Sequence, residues 1–403
     1  MRKTFDAVVA GHICLDISPG MESISPRGID DIFAPGKLTN VGKANISTGG
    51  AVSNTGIAMA LMGFNVGLMA RTGRDLFGRA VLDIMKAYRA DEGMSQADNE
   101  DTSYSIVLSP PGIDRMFLHN PGANDAFGFK DIDYNMVEMA RLFHLGYPPL
   151  LKRLFQKNGA ELKKILQEAK RRGAATSIDM SLPDPESASG KVDWRKILQK
   201  TLPFTDIFLP SAEEIFFMLH KEEFFRRKAN LRGSALLEAI GAEDISNMGE
   251  ELLGMGAGII VIKCGTMGIY LRSAARSRLD GFGRLNPDGE GNWQDRELWA
   301  PPFREEKFVS AIGAGDNAAA GFLGAMLKGA SAEFALLAAA ACGALNVASP
   351  DALGGMRAWE EIAGMMEAGW AQYRIAPGSA WKHSRKKALW LGPKDTGRQG
   401  ARP

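Results

Sequence analysis

The stretch FVSAIGAGDNAAAGFLGAM, Phe308 to Met326, passes from apolar and β-branched residues through Gly313-Ala314-Gly315-Asp316 into a small-residue helical pattern. Glycine in a helix interior costs about 1 kcal/mol relative to alanine, so Gly313 and Gly315 at a helix start need a reason. The first backbone N–H groups of a helix lack intrahelical partners and sit at the positive end of its dipole. Glycines there let a bulky anion approach the backbone closely. A carboxylate inside such a cradle repels phosphate, unless its task is to take a proton from a group attacking the phosphorus. Cradle plus base is a phosphoryl-transfer arrangement, with Asp316 as the base. A tight strand-to-helix turn with Asp316 as a first-turn dipole partner explains the same residues, and the local motif does not choose between the two.

The surrounding elements must position this stretch. DAVVAGHICLDI reads as a buried opening strand ending at Asp16, AVSNTGIAMALMG as a helix with a glycine stop, VGLMART as a strand and DLFGRAVLDIMKAYRA as a helix. RLFHLGYP, GAELKKILQEAKRRG, ATSIDMS, DIFLPSAEEIFFML and GIIVIKCGTMGIYL continue the alternation. This rhythm predicts an α/β fold with a mostly parallel sheet covered on both faces, binding ligands at the carboxyl ends of its strands. Residues 17–45 and 102–119 break the rhythm. The second reads as a hairpin around Pro110-Pro111-Gly112 with Tyr104, Ile106 and Leu108 on one face, and together the two stretches predict a small β layer. Residues 275–298 read as an exposed hairpin or loop. The end, WKHSRKKALWLGPKDTGRQGARP, carries seven Lys/Arg against one Asp and reads as a solvated, partly disordered tail.

Composition excludes rather than identifies. The chain has 403 residues, 45% hydrophobic and 24% charged, with a net charge of +1, which gives no electrostatic reason to expect nucleic acid or membrane partners. Cys14, Cys264 and Cys342 are odd in number and lack metal-ligand spacing, which favours a reducing cytoplasm. The N-terminal apolar run is broken by Gly11, His12 and Asp16, making a poor signal peptide, and no apolar run reaches membrane-spanning length. A phosphate-binding G-x-x-x-x-G-K-[ST] loop, a G-x-G-x-x-G fingerprint, an H-E-x-x-H site and a G-x-S-x-G elbow are all missing.

Several motifs, in order, resemble those of the PfkB family of carbohydrate kinases, the group that contains ribokinase and fructokinase. These are GHICLDI, TGGAVSNTGIAMALMGFNVGLMARTGRDLFG, LHNPGAND, LPSAEEI, IKCGTMGIYL, IGAGDNAAAGF and CGALNVASPDALGG, spanning about residues 5–357. The resemblance implies a ribokinase-like fold in which 1–16, 46–101 and 120–375 form the main domain, 17–45 and 102–119 a β lid, and 376–403 the basic tail. It implies ATP and Mg²⁺ as cofactors, a small-molecule sugar as substrate, and a homodimer joined through the lids. By the same resemblance Asp316 is the catalytic base and Gly313, Ala314 and Gly315 form the anion hole. Asp16, Gly49, Gly50 and Asn54 bind the sugar, and Lys263, Gly265, Gly268 and Asn346 hold the nucleotide. Glu214 organises Mg²⁺ through water.

Plainer readings stand beside these. Asp16 and Asn54 suit caps, Gly49-Gly50 a turn, Glu214 a helix-start acid, and Lys263 a strand-end lysine with its head in solvent. The chain also departs from the family's usual pattern. Ser310 and Ala311 stand where Asp-Thr is common, which puts K⁺ activation in doubt; Ser211 replaces the asparagine three residues before Glu214; and Lys263 stands where threonine or serine is usual. The functional expectation is an ATP-dependent sugar kinase. The alternatives are a nucleoside kinase and a non-catalytic sugar- or nucleotide-binding protein on the same fold.

Overall fold

The computed structural model describes residues 4–22, 24, 32–111, 116–231, 236–287 and 292–397. Its strands in the first part of the chain are β1 (Phe5–Gly11), β2 (Cys14–Gly20), β3 (Gly42–Gly49), β4 (Val66–Gly73) and β5 (Gly93–Ala97). β6 (Tyr104–Leu108), β7 (Met116–Asn120), β8 (Ala140–Gly146), β9 (Ala175–Ile178) and β10 (Ile207–Phe208) follow. The last are β11 (Ile259–Lys263), β12 (Ile269–Ser273), β13 (Glu297–Ala300), β14 (Lys382–Ser384) and β15 (Leu389–Leu391).

Eleven strands form one sheet in the order β14-β15-β13-β12-β11-β10-β9-β8-β1-β4-β5. From β5 to β11 every pairing is parallel, and β12 to β15 extend the sheet by antiparallel pairing. Successive residues of a strand point to opposite faces, so a sheet covered on both sides needs a nearly continuous apolar run. β1 shows this: Ala7 and Val9 enter one core, Val8 and Ala10 the other. The alternation expected from the sequence is therefore the architecture observed.

The other four strands make a separate sheet in the order β3-β2-β6-β7. Its register places Ser47, Asp16, Ser105 and His119 side by side across the strands. The next row, on the opposite face, is Ile46, Ile17, Ile106 and Leu118. Tyr104 packs edge-on against Phe77 of the Leu76–Ala87 helix, ring centroids 5.3 Å apart, so this apolar face is partly covered. The expected hairpin is present as β6 and β7; its turn residue Gly112 and the segment 25–31 of the other stretch lie outside the described residues.

Three expectations need correction. Asp16 does not end the first strand: β1 stops at Gly11 and Asp16 lies within β2, in the small sheet, where Gly49 ends β3. The exposed loop expected at 275–298 is instead anchored, with Phe282, Leu285 and Trp293 buried; 288–291 lie outside the described residues. The basic segment read as a tail contributes β14 and β15 to the large sheet, buries Leu389, and pairs Asp395 with the buried Arg296 at 2.8 Å. Its lysines and arginines hid apolar positions only a few residues long, too short to show a period.

Candidate active site

Asp316 lies in the first turn of the Ala314–Leu327 helix and is buried. The turn into that helix needs Gly313: its φ is 73°, and a Cβ there would meet the Ala352 Cβ at 2.6 Å. The N–H groups of Gly315 and Asp316 fall among the first-turn donors that have no intrahelical acceptor. Asn317 fixes the approach by donating to the carbonyls of Gly313 and Ala352 at 2.7 and 2.6 Å. Asn346 does similar work, its amide donating to the Ile312 carbonyl.

Donors converge on the Asp316 carboxylate. Asn54 Nδ2 donates to Oδ2 at 2.9 Å, the Tyr147 hydroxyl donates to Oδ1, and Thr55 Oγ1 is 3.4 Å from Oδ1. Asn54 thus serves no cap; it orients the carboxylate. Burial and the negative charge of Asp316 push the Tyr147 phenol far above its ordinary pKa, so it remains a donor.

Lys263 ends β11 and crosses toward the helix start, its Nζ 3.6 Å from where a Gly315 Cβ would stand. Its Nζ also lies 2.6 and 2.7 Å from the two oxygens of Asp179, which follows β9. Burial opposes the lysine's charge, but Asp179, Glu214 and Asp316 outweigh it and raise its pKa. Burial raises the pKa of Asp179, and Glu214 and Asp316 add to this against the pull of Lys263. Lys263 is therefore the fixed cation of a carboxylate cluster. Glu214 closes a capping box with Ser211, whose backbone N–H donates to Glu214 Oε2 at 2.7 Å.

The small sheet makes the opposite wall. Gly49 lies so close to Asp16 that a Cβ would fall 2.2 Å from Oδ2, and Gly50, at φ 92°, would put one 2.4 Å from His12 Nδ1. The pair is required by this close approach. Cys14 Sγ donates to Asp16 Oδ1 at 3.2 Å. Burial raises the Asp16 pKa in spite of its hydrogen bonds from Cys14 and Ser105. The rings of His119, His12 and Tyr147 then run from this sheet to Asp316, at 5.4 and 5.9 Å between centroids.

On the other side of the helix start is a mostly apolar cavity of about 570 Å³, lined among others by Lys263, Gly265, Gly268, Phe303, Gly315 and Ala344. Gly268, at φ 93°, makes the tight β11–β12 turn possible, since a Cβ would strike the Ala300 carbonyl at 2.1 Å. Asn346 does not line this cavity. A larger hollow of about 760 Å³ near Trp194 and His220 has charged rims and holds none of the expected residues.

The structure thus brings together Asp316, its glycines, Asn54, Lys263 and the Asp16–Gly49–Gly50 corner. Sequence reasoning missed Tyr147, Asp179, His12, Ser105 and His119. Tyr147 and Asp179 follow directly on the ends of β8 and β9, so the carboxyl-edge rule could have found them.

Residues 6–358 match the family model described as pfkB family carbohydrate kinase. A protein of Archaeoglobus fulgidus described as an uncharacterized sugar kinase is 25% identical over 282 residues, 69% of this chain and 89% of that protein. The 5-dehydro-2-deoxygluconokinase of Clostridium perfringens is 24% identical over 356 residues, 86% of this chain and 88% of that protein. Among solved structures, Arabidopsis thaliana ribokinase complexed with ribose and ATP superposes with a TM-score of 0.64 at 19% identity, covering 91% of this chain and 99% of that one. Xylella fastidiosa fructokinase with bound ATP gives 0.63 at 17%, covering 90% and 98%. At such identities these structures speak to the fold: ribokinase-like α/β, with a smaller separate sheet.

Proposed function

The chain belongs to the pfkB family of carbohydrate kinases, and on that premise we propose that it transfers the γ-phosphoryl group of ATP to a sugar hydroxyl with Asp316 as base. The observation that carries this reading is the position of Asp316. It stands at a helix start between a wall of sugar-type hydrogen-bonding groups and a cavity of nucleotide size. Oδ2 has Asn54 as its donor and keeps lone-pair capacity for the incoming hydroxyl proton. The N–H groups of the Gly313–Gly315 turn receive the transferring phosphoryl oxygens, and the Lys263 ammonium adds charge beside them. ATP occupies the apolar cavity, between the Gly265–Gly268 turn and the small-residue face that includes Ala344.

Mg²⁺ fits this site in one manner. Among the described residues no group of three or more His, Cys, Asp or Glu could hold an ion directly. Asp179 is engaged by Lys263, and Glu214 by the Ser211 N–H. The ion would therefore arrive on the triphosphate and meet Glu214 through water, supplying charge neutralisation of the phosphates. The small sheet acts as the lid that excludes water from the acceptor. Its edge residues Ile46 and Leu118 are 55% and 53% exposed, which favours a homodimer joined lid to lid. No helix among the described residues is long and apolar enough to cross a membrane, and the cysteines are buried and free; the proposed location is the cytoplasm.

A nucleoside acceptor is the nearest alternative within this chemistry. A binding-only protein is disfavoured, since Asn54, Thr55 and Tyr147 all organise a carboxylate that binding alone would not need. The test is ADP release with ATP and Mg²⁺ across a panel of sugars and nucleosides. Turnover of a sugar supports the reading; turnover of nucleosides alone replaces it. Light scattering at micromolar concentration checks the dimer, and a monomer there defeats it.

A further inference from the structure

The cavity assigned above to ATP has a wall that the family match does not reach. That match ends at residue 358, yet Tyr373, Arg374 and Ile375 line the cavity beside Phe303 and Glu305. They belong to a strap, residues 370–375, that runs antiparallel to the segment after β13, with Gln372 bridged to Phe303. The Tyr373 N–H donates to the Pro302 carbonyl at 2.9 Å and the Arg304 N–H to the Ala371 carbonyl at 2.8 Å. Trp370 Nε1 donates to the Arg304 carbonyl at 2.8 Å, and its ring packs against Phe303 with centroids 4.8 Å apart. The Trp359–Glu367 helix precedes the strap, and β14 and β15 of the large sheet follow it. Backbone tied in this way is already ordered, so a ligand that meets it need not order it.

The fold does not use up the strap's side chains. The Tyr373 hydroxyl donates to Glu305 Oε1 at 2.9 Å and the Arg304 guanidinium lies 5.7 Å from its ring centroid, yet Tyr373 is 42% exposed. Its ring is fixed at the tip with apolar surface left open. Arg374 is exposed, and among the described residues no acceptor holds its guanidinium. Lys263, which lines the same cavity, is by contrast held by both oxygens of Asp179.

We propose, resting on the reading of this cavity as the ATP site, that the 370–375 strap is a nucleotide-binding element. The Tyr373 ring stacks on the purine base, and the Arg374 guanidinium pairs with the phosphate chain. A tyrosine already held by its hydroxyl presents its ring to a base with little rotamer freedom left to lose. ATP brings several negative charges into a cavity whose lysine already has a carboxylate. An unpaired guanidinium on the wall meets those charges with two parallel N–H donors.

The experiment is calorimetric binding of ATP and of inorganic tripolyphosphate, both with Mg²⁺, to the full parent chain and to Arg374→Ala, Tyr373→Ala and Tyr373→Phe. Arg374→Ala should weaken both ligands about tenfold, and the loss should shrink when salt is raised to about 0.5 M. Tyr373→Ala should weaken ATP about tenfold and leave tripolyphosphate unchanged, whereas Tyr373→Phe keeps the ring and the parent affinity. KM for the sugar should stay near the parent value in all three. Should an alanine variant lose stability in denaturant unfolding, Arg374→Gln and Tyr373→Leu keep the side-chain bulk and carry the same expectations. An Arg374 variant that weakens ATP but not tripolyphosphate, or a Tyr373 variant that weakens both equally, overturns the proposal. ATP that binds the parent and every variant equally overturns the strap alone and leaves the kinase reading standing. A parent chain that binds no ATP removes both. Weakened ATP binding in the variants, without turnover of any sugar, supports the strap and removes the kinase reading.

Discussion

On the side proposed to take the phosphate the chain offers backbone. Gly313 turns at a positive φ, the first-turn N–H groups lie open, and a single lysine is pinned by Asp179. On the side proposed to take the acceptor it offers side chains, drawn from strands of the small sheet and from the loops after β1 and β8. On the proposed reading this first side recognises a group common to every phosphoryl transfer, and backbone donors suffice for that. On the same reading the other side must tell one sugar from another, which takes groups whose identity can vary. Asp316 belongs to both: its backbone is in the first turn of the helix, and its carboxylate is held by Asn54 and Tyr147 from the other wall.

The sharpest break of this comparison is at the shared residue. Asp316→Asn should lower kcat by about 10²–10⁴-fold while leaving ATP affinity nearly intact. A variant that keeps more than half its activity would remove the base from the scheme. Tyr147→Phe comes next: losing a hydrogen bond to a charged group costs about 1.5–3 kcal/mol, which predicts kcat lower by about 10–100-fold. A change confined to KM for ATP would mean that Tyr147 belongs to the phosphate side. A paired substitution separates the walls more finely. Gly49→Ala drives a methyl into the Asp16 carboxylate, so it should raise KM for the sugar and cost about 1–3 kcal/mol in denaturant unfolding. Gly315→Ala meets nothing closer than Lys263 at 3.6 Å, so its stability cost should be smaller, with KM for ATP the parameter that moves. Interchanged effects would exchange the two assignments. The smallest effect is expected from K⁺. With Ser310 in place of an aspartate, a monovalent ion lacks an anionic ligand there, and K⁺ should alter the rate little against a matched Na⁺ control. Several-fold activation would show that another group supplies the charge.

The turn into the Ala314–Leu327 helix is legible in the sequence, because its signals are local. A glycine pair and an acid at a helix start are neighbours in sequence and in space, and β1 announces burial on both faces by the apolar run from Ala7 to Ala10. The opposite wall is legible only in part. The sequence points to Asp16, Gly49 and Asn54 but puts Asp16 at the end of β1 rather than within β2, because the break at His12 is marked by a single glycine. The C-terminal segment was misread for a related reason. β14 and β15 have three residues each, too few for a period, and pairing with β13 is what makes them strands.

What the sequence by itself determined was the alternation of strands and helices, the glycine turn before Asp316, and the carboxylate behind it. Each follows from backbone sterics and side-chain period within a dozen residues. What only the tertiary structure decided was which distant groups meet. Tyr147 reaches Asp316 across 169 positions, Asn54 across 262, and Lys263 finds Asp179 across 84. No local pattern encodes such contacts. They come from the order of strands in the sheet, which sets β8, β9 and β11 within one neighbourhood and turns their carboxyl ends toward the same helix.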